Sequence, residues 1–262
     1  MAELEVNHVS LAFGGLRVLR EVSFDVEAGE LLALIGPNGA GKTSLFNCIS
    51  GLYSPTGEIR FRGENLVGRK PHEIGALGIA RTFQHAELFP QMSVLENVLA
   101  GRHTRYRTTP IAEMLFLPRV KREEAAHMEA VDKIISFVEL DRYRNEKVET
   151  LSFGIQKIVG FARALASQPR MLLLDEPSAG LTREEREDLA HFILRTKEQL
   201  GILIIWIEHD MQMVADLADR IIVLDVGRTI ADGEPQMVLR NPAVIQAYLG
   251  TVKGDADRRL GP

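Results

Sequence analysis

The chain has 262 residues, 45% hydrophobic and 26% charged, which is enough to bury a core in one large or two small domains. Its net charge of −5 gives no support for binding to a nucleic-acid backbone. The one cysteine excludes an internal disulfide, and no apolar run reaches the roughly 18 residues of a membrane span. Because the N-terminus lacks a signal-peptide segment, we expect a soluble, cytoplasmic protein that reaches any membrane through a partner.

Two runs of alternating apolar residues, over residues 4–13 and 22–26, open the chain. The pair Gly14–Gly15 separates them, so they predict antiparallel strands that precede the main sheet. A third short strand is predicted over residues 58–62, after a cluster of turn-forming residues.

The sequence GPNGAGKT, residues 36–43, fits the phosphate-binding pattern GxxxxGK[ST] and follows an apolar run. Its glycines let successive N–H groups turn inward, and the positive end of the next helix reinforces this anion site. Lys42 is then expected to reach the β- and γ-phosphates, and the Thr43 hydroxyl to hold Mg²⁺. The predicted nucleotide-binding residues of the loop are Gly36, Pro37, Asn38, Gly39, Ala40, Gly41, Lys42, Thr43 and Ser44.

Two residues near the predicted strands have open interpretations. Phe13, at the end of the first strand, is either a core aromatic residue or a ring stacked on adenine, and its position alone favours the core. Gln84 leaves a predicted strand over residues 78–84, where a surface loop is the default. Neither position decides between its alternatives.

Residues 86–150 read as a helical insertion between the halves of an α/β core. A capping box at residues 93–96 opens a helix, and a later long helix carries Val131 and Ile135 on its apolar face. Between them, residues 102–122 are rich in arginine and lysine. In an acidic protein such a segment is more often a solvated or partner-facing surface than a nucleic-acid patch.

Polar side chains follow two apolar strands in the second half of the chain. Asp175 and Glu176 end the strand that begins at residue 171, and His209 follows the apolar run over residues 202–207. Because ligands lie at the carboxyl ends of parallel strands, we expect these side chains at the phosphates rather than in bulk solvent. Asp175 would anchor Mg²⁺ directly or through a water, Glu176 would orient or deprotonate the attacking water, and His209 would face the γ-phosphate.

These elements together resemble the ATP-binding subunit of ABC transporters over almost the whole chain. GPNGAGKT resembles the Walker A motif, MLLLDE the Walker B motif, LSFGIQK the signature and SAGL the D-loop, while Gln84 and His209 stand where that family has its Q-loop and switch histidine. Residues 81–103, the basic segment and the ending NPAVIQAYLG further resemble branched-chain amino acid importers. Of their two ATPase subunits, the chain is more similar to the one with the longer insertion.

The resemblance implies an α/β fold. It has a P-loop NTPase (RecA-like) core of mainly parallel sheet, with an antiparallel β subdomain and an inserted α-helical subdomain. Residues 1–250 would form a single nucleotide-binding domain, with its core at about 1–85 and 160–235 and its helical subdomain at about 86–159. Residues 251–262 would form a polar tail.

The resemblance also implies roles for single residues. Phe13 would stack on adenine, which reverses the preference drawn from its position. Gln84 would contact Mg²⁺ and link the nucleotide to a groove where the membrane subunit docks. Two chains would close head-to-tail, so that Ser152 and Gly154 of one touch the γ-phosphate held by the other. The implied catalytic residues are Glu176, His209, Gln84 and Lys42.

The signature departs from the family pattern at one position. Ile155 replaces the first glutamine, which removes a polar side chain near the nucleotide of the partner chain. Ser152 and the backbone of Gly154 remain, so we expect function to survive.

The function predicted is that of an ATPase subunit of an importer, most plausibly for branched-chain amino acids, with ATP and Mg²⁺ as cofactors. Its partners would be two integral membrane permease subunits, a second ABC ATPase subunit (a paralogue or another copy) and, indirectly, a periplasmic solute-binding protein, with no nucleic acid. It would lie at the cytoplasmic face of the inner membrane. The alternatives are an ABC ATPase for urea, another small solute or export, and a soluble non-transport ABC ATPase.

Overall fold

The computed structural model describes residues 2–82, 88–105 and 118–249. Its strands are β1 (Ala2–Phe13), β2 (Leu16–Glu27), β3 (Leu31–Ile35), β4 (Thr56–Phe61), β5 (Glu64–Asn65), β6 (Ile79–Thr82), β7 (Met171–Asp175), β8 (Leu203–Ile207), β9 (Arg220–Asp225) and β10 (Arg228–Gly233). Its α-helices are α1 (Lys42–Ile49), α2 (Pro71–Ala76), α3 (Val94–Ala100), α4 (Pro118–Phe137), α5 (Phe153–Ala166), α6 (Arg183–Leu200), α7 (Met211–Leu217), α8 (Pro235–Val238) and α9 (242–249).

The strands form two sheets. An antiparallel sheet has the order β2-β1-β4-β5, and a six-stranded sheet has the order β10-β9-β3-β8-β7-β6. In the larger sheet all neighbours are parallel except β9 and β10. This is the predicted α/β fold, with antiparallel strands ahead of a mainly parallel sheet, and the fold prediction is confirmed.

Three central strands of the larger sheet are buried at every position, as expected for strands covered on both faces. Their register brings their carboxyl ends together, because Leu34 lies opposite Ile207 and Asp175 lies opposite the same residue on the other side. The segments that follow β3, β7 and β8 therefore leave the sheet side by side. The phosphate loop, Asp175 with Glu176, and His209 all lie at this edge.

The helices pack in two groups. Helix α1 joins the core between the two sheets, where Phe46 and Ile49 are fully buried. Helices α3, α4 and α5 pack against one another and against the other face of the larger sheet, and the predicted face of α4 is buried at Val131 and Ile135. Helix α5 runs without a break across the predicted boundary at 159–160, and the division into subdomains stays a prediction.

The basic segment differs from its prediction at Arg102, whereas Arg105, Lys121 and Arg122 are exposed as predicted. Arg102 was expected in a solvated or partner-facing surface, but the residue is only 6% exposed. Its guanidinium donates from Nε to His127 Nδ1 over 2.7 Å and from Nη1 to the carbonyl of Ala166 over 3.1 Å. Because the last carbonyls of α5 have no partner within their helix, a buried arginine is a favourable way to satisfy them.

In the part of the chain that the structure describes, no helix is both long and apolar enough to cross a bilayer.

Candidate functional site

The phosphate loop turns between β3 and α1 on glycines that no other residue can replace without strain. Gly36 has φ of +147°, and a Cβ there would stand 2.0 Å from the carbonyl oxygen of Leu224. Gly41 has φ of +105° at the N-cap of α1, where no side chain caps the helix. The first N–H groups of α1 therefore have no side-chain acceptor, which suits an anion.

Lys42 spans the loop that precedes it. Its Nζ donates to the carbonyl oxygen of Gly36 over 2.6 Å and to that of Pro37 over 3.1 Å. Burial lowers the pKa of Lys42, and the negative charges of Glu176 and Asp175 oppose this shift. The loop thus holds its cation in a desolvated position, close to the two carboxylates at the end of β7.

Glu176 and His209 meet although the chain separates them widely. The Nε2 atom of His209 is 2.9 Å from Oε1 of Glu176. Glu176 has φ of +48°, a left-handed conformation, and its N–H donates to the carbonyl of Ile207 over 3.0 Å. This turn directs the Glu176 side chain away from β7 and towards His209, two residues after the end of β8. The predicted proximity of these two groups is observed.

Asp175 has a partner that the sequence analysis missed. The carboxylate is buried, and its Oδ2 accepts a hydrogen bond from Nη2 of Arg81 over 2.7 Å. Arg81 lies on β6, which pairs in parallel with β7. The available signal was a cation near the end of a short strand, three residues before Gln84.

Glu208 is a second residue that the sequence analysis left without a role. It is 2% exposed and accepts hydrogen bonds from the N–H of Ser178 over 3.1 Å and of His209 over 2.8 Å. Lys157 supplies a nearby cation, and its Nζ donates to the carbonyl of Glu176 over 3.4 Å. Burial lowers the pKa of Lys157, while the charges of Glu208 and Glu176 oppose this shift. Glu208 thereby joins the predicted D-loop to the predicted switch histidine.

The signature residues Ser152, Phe153 and Gly154 make contacts with α5, the D-loop and the start of α6. Ser152 caps α5 by accepting from the N–H of Ile155 over 3.4 Å. A Cβ on Gly154 would stand 2.1 Å from Oε1 of Glu185, so the Glu185 side chain would have to move to admit a larger residue here. Phe153 is half exposed and approaches Gly180 of the D-loop.

Phe13 is 49% exposed, so the core interpretation that its position favoured is wrong. Its ring lies 5.1 Å from that of Tyr53 at an interplanar angle of 77°, an edge-to-face pair. Phe13 is the last residue of β1, beyond the buried part of the strand and next to the turn that begins at Gly14. Gln84 lies outside the described residues.

A cavity of about 720 Å³ opens between the α/β core and the helical insertion. Its walls are mostly apolar and come from α2, β6, α3 and α5, including Ile74, Ala100, Phe161 and Ala164. Arg81 and Lys157 also line it, so its floor adjoins the residues that hold Asp175 and Glu176.

Comparison with known proteins identifies the family. The family model described as ABC transporter matches residues 19–179, and the one described as branched-chain amino acid ATP-binding cassette transporter matches residues 228–253.

Two curated relatives and a solved structure match nearly the full length. The chain is 40% identical to the high-affinity branched-chain amino acid transport ATP-binding protein BraF of Pseudomonas aeruginosa, over 94% of this chain and 97% of that protein. It is 39% identical to LivG of Escherichia coli, a protein of the same description, with the same coverage. The ADP conformation of an ATP-binding cassette of an ABC transporter superposes with a TM-score of 0.83 at 32% identity, covering 95% of this chain and 99% of that one. The chain therefore belongs to the ABC transporter family, as one of its ATP-binding proteins.

Proposed function

We propose that this protein is the ATP-hydrolysing subunit of an ABC importer for branched-chain amino acids. One observation carries the hydrolytic part. The Glu176 carboxylate lies 2.9 Å from His209, on the sheet edge from which the phosphate loop leaves β3. The names of BraF and LivG and the match at residues 228–253 support the class of cargo.

The loop from Gly36 to Ser44 binds the phosphates of ATP, with Lys42 neutralising the β- and γ-phosphates. Glu176 orients or deprotonates the attacking water, and His209 contacts the γ-phosphate. Phe13 offers an exposed ring on which adenine stacks. These roles are consistent with the placement of the side chains around the loop.

Magnesium fits the donors that the chain offers. The Thr43 hydroxyl and the Asp175 carboxylate are hard oxygen ligands, which Mg²⁺ prefers together with water and phosphate oxygens. Thr43 is exposed in the first turn of α1, which follows β3. Asp175 ends β7, and only β8 lies between β7 and β3 in the sheet. Gln84 is proposed as a further ligand from the family pattern. The metal would neutralise charge that develops on the phosphates.

The cavity between core and helical insertion is proposed as the groove that receives a membrane permease subunit. Its apolar walls suit the apolar face of a helix, and its floor adjoins Asp175 and Glu176 through Arg81 and Lys157. The protein would act at the cytoplasmic face of the inner membrane, bound through two permease subunits. A second ATPase subunit would complete the pair, and a periplasmic binding protein would deliver the solute.

Lys42→Ala tests the ATPase assignment. We expect it to abolish hydrolysis and weaken ATP binding, because the loop then lacks the cation that faces the γ-phosphate. Release of inorganic phosphate and binding of a fluorescent ATP analogue are the measurements, with Lys147→Ala as the exposed control. Near-normal hydrolysis by Lys42→Ala would disprove the site. In cells, the same variant should lose uptake of radiolabelled leucine but keep uptake of urea, and the opposite pattern would disprove the cargo.

A further inference from the structure

Arg81 is a buried arginine that joins two parts of the nucleotide site. Its Nη2 donates to Oδ2 of Asp175 over 2.7 Å, and both side chains are less than a tenth exposed. Its Nη1 donates to Oδ1 of Asn47 over 2.7 Å and to the hydroxyl of Ser50 over 3.0 Å. The guanidinium thus links the helix of the phosphate loop, α1, to the end of β7.

The burial of these groups makes their geometry stiff. A buried carboxylate is costly unless it is paired, so Asp175 is held where the guanidinium can reach it. The guanidinium is held in turn by α1, where it also lies 5.7 Å from the centre of the Phe46 ring. Because its donors form a planar fork, fixing Nη1 on α1 also fixes the direction of Nη2.

We propose that Arg81 is the positioning residue for the magnesium-side carboxylate, holding Asp175 in register with the phosphate loop. The contact engages Oδ2 and so sets the direction in which Oδ1 faces. Since Asn47 lies on the same helix as Thr43 and Ser50 caps the end of that helix, the fork keeps the two proposed oxygen donors at a fixed relative position. This inference rests on the proposed function, in which Thr43 and Asp175 serve Mg²⁺.

The link also reaches the cavity, because Arg81 and Ser50 line its wall. A partner that fills the cavity therefore contacts the residue that orients Asp175. This gives the occupied cavity a direct physical route to the magnesium side of the site.

The test measures magnesium dependence of binding, not turnover. The full chain carrying Glu176→Gln binds a fluorescent ATP analogue at a series of buffered free Mg²⁺ concentrations, and the midpoint of the gain in affinity is recorded. We expect Arg81→Met to raise this midpoint by about tenfold or more, as is usual when an outer-shell partner of a metal ligand is lost. Binding in EDTA should be much less affected. Arg81→Lys should give a smaller shift, since one ammonium keeps the charge but not the fork.

Arg102→Met is the matched control. Arg102 is also a buried arginine with side-chain and carbonyl acceptors, but these are His127 on α4 and Ala166 at the end of α5. It should lower thermal stability without moving the magnesium midpoint. If Arg81→Met does not fold, Asn47→Ala decides, because it removes one anchor of the fork and should raise the midpoint in the same direction.

An unchanged or lowered midpoint in the folded Arg81 or Asn47 variants would overturn the inference. The inference would also be overturned if the parent, which is the chain carrying only Glu176→Gln, bound ATP with no gain in affinity from Mg²⁺. A parent that binds no ATP at all would instead disprove the proposed function, so the two failures are distinguishable.

Discussion

At the scale of single residues, the turn at Glu176 explains how two adjacent carboxylates acquire different surroundings. Its left-handed backbone costs about 1–3 kcal/mol for a residue other than glycine. The carbonyl of Ile207 and the ammonium of Lys157 hold the turn on its N–H and carbonyl sides. As a result the Asp175 side chain is 8% exposed and pairs with Arg81, while that of Glu176 is 23% exposed and meets His209. One backbone angle thus separates a buried carboxylate from an accessible one.

Phe13 gives the first residue-scale prediction. If its half-exposed ring stacks on adenine, Phe13→Ala should weaken ATP binding about 5- to 30-fold, which corresponds to a loss of about 1–2 kcal/mol. Thermal stability should fall less than for a buried phenylalanine, whose truncation costs about 3–5 kcal/mol. The measurements are calorimetric titration with ATP and the melting temperature.

The edge contact from Tyr53 supplies the control for this prediction. Tyr53→Ala removes the neighbour while leaving the Phe13 ring, so it should weaken ATP binding less than Phe13→Ala does. Phe61→Ala, which truncates a 1%-exposed ring, should lower the melting temperature much more than either change. Unchanged ATP affinity in Phe13→Ala would remove Phe13 from the nucleotide site.

At the scale of elements, the sequence predicted best what is encoded locally. Strands β3, β7 and β8 were identified because burial on both faces requires a continuous apolar run. The helix start at Ser93 was identified because its capping box lies within four residues, and the box forms. Helix α2 was missed because its six residues carry little apolar periodicity and bury only Ile74.

The sequence predicted those parts of the site that belong to short motifs directly after a strand. The loop, Glu176 and His209 follow strands, so the parallel topology alone brought them together. The partner of Asp175 was not predictable, because Arg81 is 94 residues away and its role depends on the pairing of β6 with β7. Glu208 was passed over for a related reason, since the N–H groups that donate to it, those of Ser178 and His209, belong to two separate turns.

Helix α9 carries a prediction about the C-terminal segment that matches the branched-chain family. Burial raises the pKa of Tyr248 to about 12, and a hydrogen bond with the backbone of Gly36 opposes that shift. Because the folded-state pKa lies above the ordinary 10.0, this group contributes stability that is complete below pH ~10 and is lost as the pH rises towards about 12. Urea unfolding of the parent should therefore lose more stability between pH 8 and pH 11 than that of Tyr248→Phe.

Tyr248→Phe also tests the contact with the phosphate loop. At pH 8, where the hydroxyl is neutral, the difference in stability between the unchanged protein and the variant measures what the hydroxyl contributes. Val244→Ala, which truncates a 3%-exposed side chain on the same helix, is the control for loss of packing without loss of the hydroxyl. Equal pH dependence in the parent and in Tyr248→Phe would show that Tyr248 remains in water.

At the scale of the whole molecule, the proposed site draws on two sets of residues from different elements. The phosphate loop, Glu176 and His209 lie at the carboxyl edge of the larger sheet. Ser152 and Gly154 lie at the start of α5, and their contacts are with α5 and the start of α6. We propose, from the family pattern, that a γ-phosphate touched by both sets bridges two chains, each giving one set. Head-to-tail closure is the arrangement in which both sites are completed at once.

Glu176→Gln makes this assembly measurable. The change removes the proposed base but keeps the shape of the side chain, so the ATP-closed pair should accumulate instead of turning over. Light scattering with ATP and Mg²⁺ should show a dimer, either of this chain alone or with a candidate paralogue. The family pattern favours the paralogue, in which case self-association is weak because the two faces of one chain are not self-complementary.

Ser152→Ala in the Glu176→Gln background is the matched control, because Ser152 belongs to the set proposed to meet the other chain. Its melting temperature is measured as well, since the change also removes the cap of α5. The substitution should reduce ATP-dependent association while leaving ATP binding by the monomer intact, since the phosphate loop is unchanged. A subunit that binds ATP but does not associate with a second chain should hydrolyse ATP slowly, because its site is incomplete. If Glu176→Gln stays monomeric alone and with the paralogue at concentrations well above tens of micromolar, which corresponds to roughly −6 kcal/mol of association, head-to-tail closure is not the working state.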